Sequence, residues 1–373
     1  MNKKRILIVG GGIAGQSLAI GCRRQGHDVD LVEINPQWSV YGTGIIQQAN
    51  VVRAMAQLGI AEQFVAAGFP YEHVRTYDVQ GHLLADIPAP RLAGENYPAM
   101  LGISRPALHR LLSRTAMDAG TNVRTGVTVD QITQDAAQVI ARFSDGAVAR
   151  YDVVAAADGL YSKVRSLVWG PQFKPQYTGQ SVWRYNLPRP PQIDCLTNMV
   201  SPHGNAGVCP LSDTLMYLFV TSSEPDNPRM PTALLADLMR ERLRGFGGFI
   251  APLTAQVVDP EQVVYRPLET VLVPPPWFRG RVILIGDAAH AATPHLGQGA
   301  GMAIEDAVVL AEELGAQDVP ETAFQRFMAR RWDRARFIWQ TSVQIGQWEL
   351  EQRADIDRPA LIRRMFEVTA QPV

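Results

Sequence analysis

The sequence predicts an α/β protein built on a mostly parallel sheet, with an antiparallel sheet inserted into it and helices at its C-terminal end. Three observations carry that prediction. An apolar run near the N-terminus leads into a glycine-rich turn and then a helix. Two later apolar runs, at residues 151–157 and 281–285, end in the same way, on an acid, a glycine and a helix. Between them, residues 176–270 change to short alternating runs separated by proline and glycine, which is the pattern of antiparallel strands.

The composition bounds the function. A chain of 373 residues with 46% hydrophobic and 19% charged residues is globular and has ample core. A net charge of -1 gives no reason to expect a nucleic-acid partner. Cys22, Cys195 and Cys209 form no paired motif, so neither a disulfide framework nor a zinc site is predicted. The seven histidines show no ligand spacing, so no metal is expected. Met1 to Arg5 and the apolar residues after them superficially resemble a leader, but the run is too short and three glycines break the apolar pattern directly after it. No apolar run reaches membrane-spanning length. The expectation is a cytoplasmic protein without a membrane span, monomeric or homodimeric.

Taken in order, residues 4–9 form the first strand. The turn Gly10-Gly11-Gly12-Ile13-Ala14-Gly15 comes next, then a helix to about Gln25 and a strand at residues 28–33 ending in Glu33. This is the strand–turn–helix setting that a Rossmann-like GxGxxG motif requires, with an acid at about the expected spacing of ~20 residues. Gly10 makes the turn, Gly12 lets the backbone approach a pyrophosphate, and Gly15 lets helix pack on strand. Glu33 would accept from a ribose hydroxyl. Residues 42–45 read as a flexible turn before a helix near residues 50–58, and residues 70–99 as hairpin and loop. Ser104 caps a helix that carries Pro106 in its first turn, and Arg105 stands at its start. Residues 122–129, 139–143 and 151–157 read as strands, and Asp158-Gly159 ends the last of them. The inserted sheet is assigned strands at 178–186, 197–201, 215–221 and 263–270. The glycines at 245, 247 and 248 come after a helix and are rejected as a nucleotide loop. The strand at 281–285 leads to Asp287, three glycines at 297, 299 and 301, and a helix whose N–H groups would face a ligand. The tail from residue 321 is helical and rich in aromatics.

These three junctions resemble the single-component, FAD-dependent aromatic hydroxylases of the para-hydroxybenzoate hydroxylase fold, the group A flavoprotein monooxygenases. The likeness covers nearly the whole chain, and its spacing is most similar to the salicylate, 6-hydroxynicotinate and urate hydroxylase branch. It implies a Rossmann-like FAD-binding domain (residues 1–70, 100–175 and 275–320), an antiparallel-sheet substrate domain (71–99 and 176–274) and a C-terminal helical region (321–373). It also implies that Gly10, Gly12, Ile13, Ala14 and Gly15 hold the FAD pyrophosphate, Glu33 the ribose, Arg105 the cofactor and the backbone at Val129 the adenine. Asp158 would serve both FAD and the nicotinamide cofactor, and Asp287 the ribitol or pyrophosphate. Pro294, Gly297, Gly299, Ala300, Gly301 and Met302 would line the isoalloxazine. Ser39 and Ala49 depart from the arginine and proline that many relatives carry.

The implied reaction uses NADH or NADPH, with NADH favoured, and O2. A flavin C4a-hydroperoxide then hydroxylates a small aromatic or N-heteroaromatic ring. His295 is the first candidate for the group that deprotonates the ring, Tyr217 the second, and Arg184 a candidate for holding a carboxylate or phenolate. His290 is read as structural. Two other readings stay open: a same-fold epoxidase or natural-product-tailoring monooxygenase, and a flavin-binding protein without turnover.

Overall fold

A computed structural model describes residues 2–40, 42–202 and 204–373; Met1, where the leader-like stretch begins, lies outside them. A six-stranded sheet forms the first layer, in the order Phe278–Arg279, Val282–Leu284, Val153–Ala156, Arg5–Val9, Asp28–Glu33 and Asn122–Thr125. All neighbours pair in parallel except the short edge strand Phe278–Arg279. Ile6, Leu7, Ile8 and the whole of Val153–Ala156 are fully buried, as expected for strands covered on both faces. From the first strand the chain moves outward to Asp28–Glu33 on one side, and Val153–Ala156 lies on the other. The switch point between them opens a crevice at the carboxyl ends of the strands, where such sheets bind ligands.

A seven-stranded sheet forms the second layer: Val264–Thr270, Gln176–Pro188, Leu215–Ser223, Gly204–Pro210, Leu196–Ser201, His73–Tyr77 and Leu83–Pro88. It corrects the sequence expectation in two respects. The strand Gly204–Pro210 is additional; its glycines and terminal proline hide it from a propensity reading. The sheet is also not wholly antiparallel, because Leu196–Ser201 pairs in parallel with His73–Tyr77, bringing an early hairpin onto the later strands.

Two local readings also change. Residues 44–47, expected as part of a flexible turn, form a strand that pairs antiparallel with Met100–Ser104. The stretch 122–129 divides into Asn122–Thr125 on the large sheet and Val129–Gln134 in a separate three-stranded sheet.

The helix Pro320–Leu350 contains 31 residues and is therefore about 46 Å long. It packs on the helix Gly299–Ala316 and reaches the turn Pro294–Leu296 and the strand Gln176–Pro188. It thus touches both layers. The last helix, Arg358–Ala370, returns against the helix Ala49–Gln57. Among the described residues, no helix is long and apolar enough to cross a membrane, and no group of three or more His, Cys, Asp or Glu is placed to hold a metal.

Candidate active site

The first wall of the site comes from the glycine turn. Gly10 adopts φ +105, and a Cβ there would sit 2.4 Å from the Ala157 carbonyl oxygen, so only glycine fits. A Cβ on Gly15 would lie 1.9 Å from the Gly10 carbonyl oxygen, whereas one on Gly12 would meet nothing within 4 Å. Gly10 and Gly15 therefore close the turn on itself, and Gly12 leaves open space beside the backbone.

Two helices begin at this space. Ile13–Arg24 and Gly299–Ala316 both lack a side-chain cap and an acid in the first turn. Their unpaired N–H groups and positive dipole ends suit a diphosphate or a developing negative charge. Both N-termini line one cleft of about 630 Å³, together with Arg105, Arg184, Tyr217, Arg266, Asp287 and Pro294. That volume lies within the usual range for cofactor sites, ~300–1,000 Å³.

Three arginines, Arg105, Arg184 and Arg266, line the cleft against two acids, Asp287 and Glu269. The side chains of Arg105, Arg184 and Arg266 make no hydrogen bond or ion pair among the described residues. Burial lowers the Arg105 guanidinium, and the facing Arg266 lowers it further, while Tyr217 and Asp287 oppose the shift. Arg184 is brought down to about 10, first by burial and then by Arg105 and Arg266. Like charges held this close in a desolvated site favour an anion among them. Asp287 opens onto the cleft floor with its surface accessible, yet it lies deep in the fold. Desolvation pushes its carboxyl up, against the pull of His290 and Arg105.

Behind the cleft, polar contacts hold the walls. Glu33 accepts from the Gly11 amide at 2.8 Å and the Asn35 amide at 2.7 Å. Asp158 accepts from Ser162 and from the Val164 amide at 3.0 Å, so it also braces its own helix start. Asp306 accepts from the Gly286 amide at 2.8 Å and pairs with His290 at 2.6 Å. His290 is thus structural, as expected from the sequence. Ser104 caps the helix at Arg105, also as expected, by accepting from the Ala107 amide at 3.2 Å.

Of the predicted cofactor residues, Gly12, Ile13, Ala14, Arg105, Asp287, Pro294, Gly297, Gly299 and Ala300 line the cleft. Gly10, Gly15, Glu33, Asp158, Gly301 and Met302 are not among its lining residues. Val129 is fully buried at the start of its strand.

A second, smaller cavity of about 100 Å³ lies against the cleft. Ile46, Val182, Arg184, Tyr217, Pro294 and Gly297 belong to both. Tyr217, Phe219 and Thr221 alternate on the face of their strand that lines the small cavity. Val74, Leu196, Ile345, Leu361 and Ile362 make its far side apolar. Burial pushes the Tyr217 phenol far up, which keeps it protonated and able to donate a hydrogen bond at neutral pH.

His295 also lines this cavity, but its side chain is only 1% exposed and both ring nitrogens have partners. Nδ1 lies 2.9 Å from the Thr293 hydroxyl and Nε2 lies 3.2 Å from the Glu349 carboxylate. Glu349 also accepts from Gln180 at 2.9 Å and Thr221 at 3.2 Å, and pairs with Arg358 at 2.8 Å. Burial alone would raise this carboxyl; His295, Arg358 and Gln180 outweigh it and hold it down at about 2. Glu349, Gln180 and Arg358 were missed from the sequence. Glu349 and Arg358 were polar residues inside a tail otherwise assigned to packing, and Gln180 was one polar residue in a strand assigned to the inserted sheet.

The comparisons with known proteins agree with this geometry. Residues 3–341 match the family model described as FAD binding domain. The chain is 35% identical over 350 residues to a putative FAD-dependent monooxygenase of Bacillus subtilis, covering 93% of this chain and 94% of the relative. It is 33% identical over 358 residues to the 2-heptyl-3-hydroxy-4(1H)-quinolone synthase of Pseudomonas aeruginosa, covering 92% and 90%. It is 30% identical over 351 residues to the 6-hydroxynicotinate 3-monooxygenase of Bordetella bronchiseptica, covering 91% of each. Klebsiella pneumoniae HpxO, solved in complex with FAD and uric acid, superposes with a TM-score of 0.86 at 25% identity over 99% of this chain and 97% of that one. The chain therefore belongs to the FAD binding domain family, among the FAD-dependent monooxygenases of the aromatic-hydroxylase type.

Proposed function

We propose that this protein uses FAD, NAD(P)H and O2 to hydroxylate a small aromatic or N-heteroaromatic ring that carries an ionisable group. The observation that carries this reading is the wall shared by the cleft and the small cavity, where unpartnered Arg184 and the high-pKa donor Tyr217 stand together. At about 100 Å³, the small cavity alone holds less than the ~150 Å³ that accommodates a benzene in an engineered apolar core. A ring must therefore straddle the boundary, which sets it against Arg184 and Tyr217. A phenolate or carboxylate answers the arginine, and a ring oxygen or nitrogen answers the phenol.

The residues present fit FAD. Gly12 and the first helix N-terminus would hold the pyrophosphate, with Arg105 beside it. Asp287 would accept from ribitol or ribose hydroxyls. Pro294, Gly297, Gly299 and Ala300 would face the ring system, with the free N–H groups at the start of the Gly299–Ala316 helix favouring negative charge on it. When bound, FAD supplies two-electron chemistry with NAD(P)H and activation of O2 at its C4a carbon. This chain's own groups then bind the ring, exclude water and take its proton. A positioned base contributes about 10²–10⁴-fold. The large sheet with its two uncapped helices serves the cofactor, and the seven-stranded sheet serves the substrate. The reduced thiols fit a cytoplasmic setting, and NADH is the reductant to try first.

The test is NADH consumption by the flavin-loaded protein under ¹⁸O2, with 6-hydroxynicotinate, urate, a 2-alkylquinolone and hydroxybenzoates as the panel. Stimulated consumption with one labelled oxygen in a ring product supports the reading. Flavin-loaded protein that no ring stimulates contradicts it and favours flavin binding without turnover.

A further inference from the structure

Resting on the hydroxylase reading above, we propose that Thr293, His295 and Glu349 form a proton relay, with Glu349 as the buried residue that positions its histidine. The three side chains are in hydrogen-bonded sequence: Thr293 hydroxyl to His295 Nδ1 at 2.9 Å, and His295 Nε2 to Glu349 at 3.2 Å. Thr293 lines the large cleft and His295 the small cavity, so the sequence starts where a ring would sit and ends inside the protein.

The charged and polar groups around the pair come from every element packed on it, and the cation Arg358 is neutralised by Glu349. Glu349 comes from the long helix, Arg358 from the last helix, Gln180 and Thr221 from the sheet, and Thr293 from the histidine's own turn. Gln180, Thr221 and Arg358 all direct donors at this carboxylate, so in the relay it accepts the Nε2 proton and leaves Nδ1 as the acceptor. The step balances without redox chemistry. The ring O–H proton passes to the Thr293 oxygen as the Thr293 hydroxyl proton passes to Nδ1. The ring becomes a phenolate, and the imidazolium that forms keeps its Nε2–H on Glu349. The reverse transfer returns the proton when product leaves.

An independent observation shows that the fold makes room for the ring of His295. Gly346 lies inside the long helix, three residues before Glu349, where glycine is worse than alanine by about 1 kcal/mol. A Cβ there would stand 2.9 Å from His295 Cε1 and 2.5 Å from Gln180 Oε1. The weaker helix former is thus the residue that lets histidine and carboxylate meet.

Two measurements decide the proposal. In proton NMR of the flavin-loaded protein, two far-downfield histidine N–H signals are expected, one from His290 on Asp306 and one from His295 on Glu349. His295→Asn deletes the second, and Glu349→Gln moves it upfield; a signal that Glu349→Gln leaves in place overturns the assignment. With the panel ring that supports turnover, Thr293→Val and Glu349→Gln are expected to lower the product formed per NADH about tenfold or more at neutral pH, while Thr293→Ser retains it. The deficit should close as pH rises past the ring's own pKa, since an ionised ring needs no relay. A deficit equal at every pH, or none, overturns the catalytic role. Failure of every ring to turn over contradicts the hydroxylase reading itself, and the NMR result still reports separately on the hydrogen-bonded sequence.

Discussion

Arg331→Met tests how the helix layer supports the cofactor cleft. Arg331 is fully buried in the long helix. Its Nε donates to Asp306 at 2.8 Å, one terminal nitrogen donates to Glu305 at 2.7 Å, and the other reaches the Met302 carbonyl at 3.3 Å. Methionine fills the stem and removes the charge. Breaking a buried pair by deleting one partner is destabilising by about 3–5 kcal/mol. Here the lower end applies, because each carboxylate keeps another partner. Asp306 retains His290 at 2.6 Å, and Glu305 retains Arg334 at 2.8 Å and Arg53 at 3.5 Å. About 3 kcal/mol is roughly a 150-fold change in the folding equilibrium. With a slope near ~3 kcal/mol per molar urea, the unfolding midpoint should fall by about 1 M, measured by tryptophan fluorescence at fixed FAD concentration. Asp306 also accepts from the Gly286 amide beside Asp287, so flavin retention on gel filtration should fall with it. A midpoint shift below roughly 0.3 M, about 1 kcal/mol at the same slope, would refute the reasoning, because the two carboxylates would then be compensated without the arginine.

Other outcomes rest on the same contacts. Asp287→Asn should weaken FAD binding at least about tenfold, read from flavin fluorescence titration; unchanged affinity removes Asp287 from the cofactor contacts. Gly10→Ala adds strain of about 1–3 kcal/mol for positive φ to a 2.4 Å clash with the Ala157 carbonyl, so little soluble flavoprotein should form. Normal yield and flavin content would contradict that. Glu349 has a folded-state pKa of about 2 against an ordinary 4.5. A depressed carboxylate contributes stability that is fully present above the unfolded pKa and is lost as pH falls through the folded one. Wild-type stability should therefore fall between pH 4.5 and 2 partly through this group, and Glu349→Gln should show a shallower acid decline over that window. Parallel acid profiles would count against it.

The parts of the molecule that obey local rules were legible in the sequence. The strand–turn–helix at Gly10 to Gly15 and the strand ending at Glu33 each depend on neighbours in the chain. The Ser104 cap and the junction at Asp287 were legible for the same reason. What the sequence hid is set by distant pairing. The parallel pairing of Leu196–Ser201 with His73–Tyr77 joins segments far apart in the chain, and no local pattern encodes its register. The strand Gly204–Pro210 carries too few β-formers to stand out. Tyr217, Arg184 and His295 were picked out one at a time; that Arg184 and Tyr217 share one wall, and that His295 is backed by Glu349, needed the folded chain. Glu349, Gly346 and Arg358 sat in a tail that reads as packing, because helical periodicity shows which face is buried but not which buried polar group faces another element.

The most direct test of the account is a crystal structure of the FAD-loaded protein with a bound ring from the substrate panel. The account predicts the pyrophosphate at Gly12 and the first helix N-terminus, the isoalloxazine against Pro294 to Ala300, and the ring between Arg184 and Tyr217 with its oxygen toward Thr293. A flavin ring elsewhere than along Pro294 to Ala300, or a substrate ring that contacts neither Arg184 nor Tyr217, would contradict it.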